Sequence, residues 1–114
     1  MPYIDVKLTK NLSDTDENNL KSKLGEIISL FPGKSENWLM CCVDSGKKIW
    51  FQGDNSTDSA FVDVKLFGAV DNNSANDFTS KLCEYFEREL NISPSRVYVR
   101  FSGGNSWGWN GSNF

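Results

Sequence analysis

The sequence contains no histidine, and this absence excludes several classes of active site. A zinc site with imidazole ligands and a histidine-dependent catalytic triad both need that side chain. Acid–base chemistry must therefore use carboxylates, lysine, tyrosine or the N-terminal amine. Cysteine is scarce as well, and the three present are Cys41, Cys42 and Cys83. This odd number favours reduced cysteines used as small apolar residues.

Long apolar runs and an excess of basic charge are also missing. No stretch approaches the roughly 20 apolar residues of a membrane span, and the N-terminus lacks the layout of a secretory signal. The net charge is -3 with dispersed lysines and arginines, so nothing provides an electrostatic footprint for nucleic acid. With 39% hydrophobic and 24% charged residues, we expect residues 1–114 to form a single domain. Without a recognisable secretory signal, we expect a cytoplasmic location, with secretion that needs no signal peptide as the alternative.

An internal duplication is the main feature that the chain does contain. The segment Pro2–Leu8, PYIDVKL, recurs as Ala60–Leu66, AFVDVKL. The last four residues of the two segments, DVKL, are identical. Each copy alternates apolar and polar residues, which is the period of a half-covered strand. We therefore expect an internal repeat of residues 2–57 and 60–114.

A helix and a further strand are predicted after each copy. Helical spacing of apolar residues predicts helices over about 14–31 and 74–91, and Pro32 with Gly33 would end the first. Strands are expected at 38–43 and 97–101, with a short extra strand at 48–51. The residues predicted to face inward are Leu20, Leu24, Ile27, Ile28 and Phe31 in the first helix and Phe78, Leu82, Tyr85, Phe86 and Leu90 in the second.

Two β-α-β units of this kind predict an α+β fold with two layers, in which two helices cover one face of a four-stranded mixed sheet. Four residues should point toward the helices: Ile4, Val6, Val62 and Val64. The opposite face would carry Asp5, Lys7, Asp63 and Lys65 together with Tyr3, Phe61 and Phe67. A bare face of this mixed character favours contacts between copies, and a monomer with a solvated face is the alternative.

Pro2 is the residue that most directly indicates chemistry. Met1 precedes a small residue, so we expect aminopeptidase removal of Met1 to expose the secondary amine of Pro2. An α-amino group titrates near about 8, and burial in an apolar setting lowers its pKa further. A fixed neutral amine is a suitable general base. The alternative interpretation is that the proline only resists exopeptidases.

Further motifs accompany Pro2 along nearly the whole chain. They are Pro32-Gly33-Lys34, Trp50-Phe51-Gln52-Gly53, Leu66-Phe67-Gly68, NISPSRVYV from Asn91 to Val99 and WGWNGSNF from Trp107 to Phe114. On these motifs the chain resembles the macrophage migration inhibitory factor family of the tautomerase superfamily. The resemblance implies a homotrimer whose sheets form a barrel, with active sites between neighbouring subunits and no metal or organic cofactor.

The same resemblance implies an enzyme, a keto–enol tautomerase of aromatic α-keto acids such as phenylpyruvate and of dopachrome-type compounds. Pro2 would be the catalytic base. The implied substrate-binding residues are Lys34, Phe67, Tyr98, Arg100, Trp38 and Trp107. Lys34 would meet the substrate carboxylate or the developing enolate oxygen, and Tyr98 would come from the neighbouring subunit. Trp109 is expected to be structural.

Three positions depart from the family pattern. Phe67 stands in place of the usual isoleucine and would narrow the pocket. Arg100 replaces the asparagine of the best-known members, and its guanidinium can hold a carboxylate with two hydrogen bonds. The Cys-x-x-Cys of mammalian members is replaced by Ser59 and Val62, so thiol redox chemistry of that kind has no nucleophile here.

Two other functions stay open on the sequence. One is a cytokine-like secreted protein that interacts with a host receptor and has only vestigial tautomerase activity, because family members leave cells without a signal peptide. The other keeps the fold and changes the reaction to hydration, dehalogenation or decarboxylation of unsaturated acids. These reactions usually need a carboxylate that activates water, and the sequence identifies no such pocket acid.

Overall fold

Four strands and two long helices form most of the chain in the computed structural model, which describes all of residues 1–114. In chain order they are β1 (Pro2–Leu8), α1 (Asp14–Ile27), β2 (Met40–Asp44), β3 (Ala60–Phe67), α2 (Asn72–Leu90) and β4 (Val97–Gly104). A tail hairpin of β5 (Gly108–Trp109) and β6 (Ser112–Asn113) follows. Neither long helix has the apolar length that crossing a bilayer would require.

The four long strands form one mixed sheet in the order β2-β1-β3-β4. Each half of the chain contributes a parallel pair, β1 with β2 and β3 with β4. The two copies of the repeated strand, β1 and β3, lie antiparallel at the centre, where Asp5 faces Asp63. The predicted α+β architecture, with two helices on a four-stranded mixed sheet, is confirmed.

One hydrophobic core lies between the sheet and the two helices. The four strand residues predicted to point inward, Ile4, Val6, Val62 and Val64, are fully buried. All ten predicted inward residues of the helices are buried as well. The ring of Phe78 in α2 lies 5.8 Å from the ring of Phe31 and 5.7 Å from that of Phe101, measured between centroids. Residues from both halves of the repeat therefore share the same core.

The first helix begins as predicted and ends earlier. Ser13 caps α1, because its side-chain oxygen accepts a hydrogen bond from the Asp16 amide at 3.1 Å. The α-helix ends at Ile27 and tightens into a 3₁₀ turn over Ile28–Leu30, rather than continuing to Phe31. Phe31 precedes a proline and adopts the extended conformation that this position favours, so the helix cannot continue through it.

The second helix begins two residues earlier than predicted. Asp71 is its N-cap and accepts hydrogen bonds from the amide of Ser74 at 3.0 Å and from its hydroxyl at 2.6 Å. These bonds lower the pKa of the Asp71 carboxyl. The helix ends at Leu90, where Asn91 takes the left-handed conformation that often terminates helices.

The predicted strand at 48–51 is wrong for a single chain. Only Phe51 pairs there, in an isolated bridge with Asp54 that closes a tight turn. Gln52 and Gly53 in this turn have φ values of 53° and 78°, so the chain reverses directly after Phe51 and does not run along the sheet. The strand predicted from residue 38 begins at Met40, because Glu36–Trp38 forms a 3₁₀ turn.

The sheet face that turns away from the helices is bare, as predicted. Phe61 and Tyr98 lie side by side on it, with 37% and 62% of their surface exposed. Cys42 is also exposed on this face, opposite Asp5, so the prediction that the cysteines serve as small apolar core residues fails at this position. Exposed aromatic side chains next to one another on an uncovered sheet face are typical of a surface that contacts another protein copy.

Candidate active site

Pro2 is fixed at the beginning of the inner strand β1. It pairs in register with Leu66 of β3, and its residue surface is buried. A proline donates no backbone hydrogen bond, so the first position of a strand accommodates it without loss of a ladder bond. The sheet therefore holds the pyrrolidine ring of Pro2 in one place, whereas a free terminal segment would move.

A cavity of about 570 Å³ opens beside Pro2 at this end of the sheet. Its walls are largely aromatic, and the rings of Trp38 and Trp109 meet edge to face with 5.3 Å between centroids. The complete lining comprises Met1, Pro2, Tyr3, Asn37, Trp38, Leu39, Met40, Lys65, Trp107, Gly108 and Trp109. An apolar cavity of this volume with few polar groups is typical of a small-molecule site.

Met1 is held over Pro2 and closes part of this cavity. Its carbonyl oxygen accepts a hydrogen bond from the Phe67 amide at 3.1 Å. Met1 also lines a second cavity of about 400 Å³, beside Trp38, Trp109 and Phe114. Burial lowers the pKa of the Met1 amine below 8.0, and the positive charge of Lys34 lowers it further. An amine at this end of β1 therefore lies where its neutral form is favoured.

Lys34 reaches the same end of the sheet from the turn after α1. Gly33, with φ of 78°, provides the left-handed turn that brings the chain back after the helix. The Lys34 ammonium donates a hydrogen bond to the Phe67 carbonyl at 2.9 Å and lies 5.9 Å from the centroid of its ring. The backbone of Phe67 thus contacts both Met1 and Lys34, so two predicted site residues, Lys34 and Phe67, meet beside Pro2.

The C-terminal hairpin supplies one wall of the cavity. Asn110 and Gly111 have positive φ values of 53° and 90°, the conformation of a type I′ hairpin turn. The Phe114 amide donates to the Trp107 carbonyl at 3.1 Å, and the Phe114 ring lies 5.1 Å from that of Phe67. Trp107 and Trp109 both line the cavity, and Trp109 also packs against Trp38, so the structural role expected for Trp109 stays a prediction.

Tyr98 and Arg100 do not line the Pro2 cavity of their own chain. The exposed Tyr98 packs edge to face against Phe51, with 5.3 Å between ring centroids. Arg100 is exposed and pairs in register with Asp63, three residues along β3 from Leu66. The assignment of Tyr98 and Arg100 to substrate binding therefore requires a neighbouring subunit and stays a prediction.

Sequence reasoning missed several lining residues, and Lys65 is the most notable among them. Lys65 pairs with Tyr3 across the two central strands, directly beside the pair of Pro2 and Leu66. The available signal was the repeat itself, because two antiparallel copies of the same segment bring the start of one against the end of the other. Asn37 and Leu39, which were also missed, belong to the 3₁₀ turn and its end just before β2, and Met40 is the first residue of β2.

The arrangement is suited to proton transfer on an anionic aromatic molecule. It combines a fixed proline, aromatic walls and two lysines at one end of the sheet. No aspartate or glutamate is among the residues of one subunit that line the cavity. No group of three or more cysteine or acidic side chains is placed to hold a metal ion.

Comparison with known proteins agrees with this geometry. The family model for macrophage migration inhibitory factor (MIF) matches residues 1–114. A macrophage migration inhibitory factor from Xenopus tropicalis is 27% identical over 116 residues, which cover 100% of this chain and 99% of that protein. The crystal structure of Leishmania major MIF2 is 28% identical and superposes with a TM-score of 0.91, covering 100% of this chain and 97% of the other.

A more distant solved structure has the same fold. It is a protein crystallised after inactivation by 2-oxo-3-pentynoate, with 16% identity, a TM-score of 0.83 and coverage of 97% of this chain and 94% of that one. At this identity the likeness concerns the fold alone. Because the family model spans the whole length, the chain belongs to the macrophage migration inhibitory factor family of the tautomerase superfamily.

Proposed function

We propose that this protein is a keto–enol tautomerase of aromatic α-keto acids such as phenylpyruvate, with the amine of Pro2 as its general base. The observation that carries the proposal is the buried Pro2 at an aromatic cavity, in surroundings that lower the pKa of an N-terminal amine. Family membership supports an isomerase activity. The fold relative inactivated by 2-oxo-3-pentynoate supports an α-keto acid as the substrate class.

The base becomes available when Met1 is removed. As long as Met1 is attached, the nitrogen of Pro2 is an amide and has no basic lone pair. In the chain that still carries Met1, Pro2 is buried and Met1 is partly exposed. After removal of Met1, desolvation and the Lys34 charge would disfavour the protonated form of the Pro2 amine, so that it is neutral near physiological pH.

In the proposed step, the Pro2 nitrogen removes a proton from the carbon between the ketone and the aromatic ring. The electron pair of the broken C–H bond forms a C=C bond, and the ketone oxygen becomes an enolate. Lys34 stabilises the charge that develops on this oxygen. Pro2 then returns the proton to the oxygen, which gives the enol with no net change in atoms. Trp38 and Trp107 would pack against the aromatic group of the substrate.

We further propose that the active unit is a homotrimer. The exposed Phe61 and Tyr98 on the bare sheet face, and Trp50 at 59% exposure, are apolar surfaces that association would remove from water. The segment 48–50 forms no strand within one chain, and its backbone is free to pair with a neighbouring copy. Association of this kind would bring Tyr98 and Arg100 to the Pro2 cavity of the next subunit.

The test is the enolisation of phenylpyruvate by protein whose measured mass shows that Met1 is absent. We expect turnover by the mature protein and a loss of orders of magnitude in Pro2→Gly, since a positioned base contributes about 10²–10⁴-fold. Pro94→Gly is the matched control, because Pro94 is exposed in a 3₁₀ turn outside the cavity.

Equal activity of the parent and Pro2→Gly would overturn the role of Pro2. A folded mature protein without activity on phenylpyruvate or dopachrome-type compounds would overturn the enzyme assignment. That second result would leave the cytokine-like role as the better explanation of the family membership.

A further inference from the structure

Lys65 is the only charged side chain among the residues that line the Pro2 cavity. The other lining side chains are aromatic, aliphatic or neutral. A substrate carboxylate that enters such a cavity needs a charged or hydrogen-bonding partner, because an unpaired anion in apolar surroundings is strongly disfavoured. We propose that Lys65 binds the substrate carboxylate in the same subunit as Pro2, an inference that rests on the proposed tautomerase function.

The strand register places Lys65 next to the base. Pro2 pairs with Leu66, and the adjacent pair across the same two strands is Tyr3 with Lys65. The Lys65 ammonium lies 5.7 Å from the centroid of the Tyr3 ring, and Tyr3 is the residue that follows Pro2 in the chain. The two central strands therefore fix the backbone of Lys65 one residue pair away from Pro2.

The ammonium group of Lys65 can bind a second anion in addition to its present partner. Its present partner is Asp63 at 2.8 Å, and the Lys65 side chain is 47% exposed. Ion pairs as exposed as this one contribute little to stability, so a substrate carboxylate can compete for the ammonium. A lysine also has three N–H donors, and the bond to Asp63 occupies one of them.

Lys34 and Lys65 are suited to the two oxygen groups of an α-keto acid. Lys34 is held on the carbonyl of Phe67, the residue that follows Leu66 in β3, whereas Lys65 precedes Leu66 in the same strand. The contact of Lys34 and the position of Lys65 thus lie on either side of Leu66, the residue that pairs with Pro2. We assign the ketone oxygen that becomes the enolate to Lys34 and the carboxylate to Lys65.

The duplicated sequence provides a matched control for this assignment. Lys7 is the counterpart of Lys65 in the first repeat and pairs with Asp5 at 2.6 Å, with 49% of its side chain exposed. It lies on the same bare face but outside the cavity lining. Lys7 and Lys65 therefore share sequence context, ion pair and exposure, and they differ in their distance along the sheet from Pro2.

The experiment compares mature parent protein with Lys65→Met, Lys65→Arg and Lys7→Met, using phenylpyruvate and its methyl ester. We expect Lys65→Met to raise the KM for the acid about tenfold or more with little change in kcat, because a charge-assisted contact is lost. The ester should be unaffected, Lys65→Arg should recover most of the affinity, and Lys7→Met should behave as the parent. Circular dichroism establishes that each variant is folded.

An unchanged KM for the acid in Lys65→Met, an equal effect on acid and ester, or the same effect in Lys7→Met would each overturn the proposal. If the parent protein turns over neither compound, the tautomerase function fails on its own. Quenching of tryptophan fluorescence by phenylpyruvate then still tests Lys65, because three tryptophans line the cavity. Weaker binding in Lys65→Met alone supports the assignment, and equal binding or no binding by the parent overturns it.

Discussion

Retention of Met1 should abolish the proposed activity and leave the fold intact. The chain that begins at Met1 and the chain that begins at Pro2 differ by one residue, and only the second has a basic nitrogen at Pro2. A positioned base contributes about 10²–10⁴-fold, which corresponds to roughly 3–5 kcal/mol in the activation barrier. Because Met1 is held by the Phe67 amide at 3.1 Å and lines both cavities, it also obstructs the site. We therefore expect a loss at the upper end of this range.

Stability should change much less than activity. The backbone contact that removal of Met1 eliminates is one hydrogen bond, to the Phe67 amide, and a typical hydrogen bond contributes about 0.5–1.5 kcal/mol net. For a domain near this size, such a change shifts the melting temperature by about 4–8 °C per kcal/mol. A shift in melting temperature no larger than this, together with a loss of activity of orders of magnitude, would therefore locate the effect at the base.

The assay is kcat/KM for phenylpyruvate enolisation, with the N-terminus of each sample verified by intact mass. Treatment of the Met1 form with methionine aminopeptidase should restore activity in proportion to the fraction of protein that has lost the residue. Full activity in a sample whose mass shows Met1 on every chain would refute the reasoning.

Further predictions concern electrostatics, the neighbouring subunit and assembly. Burial and the charge of Lys34 lower the pKa of the Met1 amine below 8.0, and we expect the same surroundings to act on the Pro2 amine once Met1 is removed. The kcat/KM should then fall as the pH drops through the pKa of the Pro2 amine, and Lys34→Met should move that fall to higher pH. An unshifted or downward-shifted profile contradicts the argument. Arg100→Ala should lower kcat/KM for phenylpyruvate by an amount that corresponds to about 1.5–3 kcal/mol, mostly through a higher KM, and should leave turnover of the methyl ester unchanged. Equal effects on the acid and the ester would show that Arg100 does not bind the carboxylate. Light scattering should give the mass of a trimer, and a stable monomer at micromolar concentration would disprove the shared site.

The periodicity of the sequence was sufficient to predict the two-layer fold. Alternation in the repeated segment identified β1 and β3, and helical spacing identified the inward faces of both helices. These features are local, because a half-buried strand or helix must repeat its apolar residues with the period of its backbone. The strand predicted at 48–51 failed because β propensity alone does not provide a neighbouring strand within the chain.

Resemblance of the motifs to a known family supplied most of the candidate site. Pro2, Lys34 and Phe67 meet at one end of the sheet, and Trp38 and Trp107 line the same cavity. Trp109 was assigned a structural role, and its place in the lining depends on the tail hairpin of β5 and β6, which sequence reasoning did not predict. No periodicity indicated which of the charged residues on the bare face would reach the cavity.

Sequence alone determined the duplication, the identity of the inward faces and the presence of a proline able to serve as a base. Tertiary structure decided which parts of the chain meet at that proline. The antiparallel register of β1 and β3 placed Lys65, but not its repeat counterpart Lys7, beside the cavity. The repeated segments alone do not show this distinction, because both have the same pattern of residues. They differ in their surroundings, since the turn after α1 and the C-terminal hairpin lie only at the end of the sheet where Pro2 and Lys65 are.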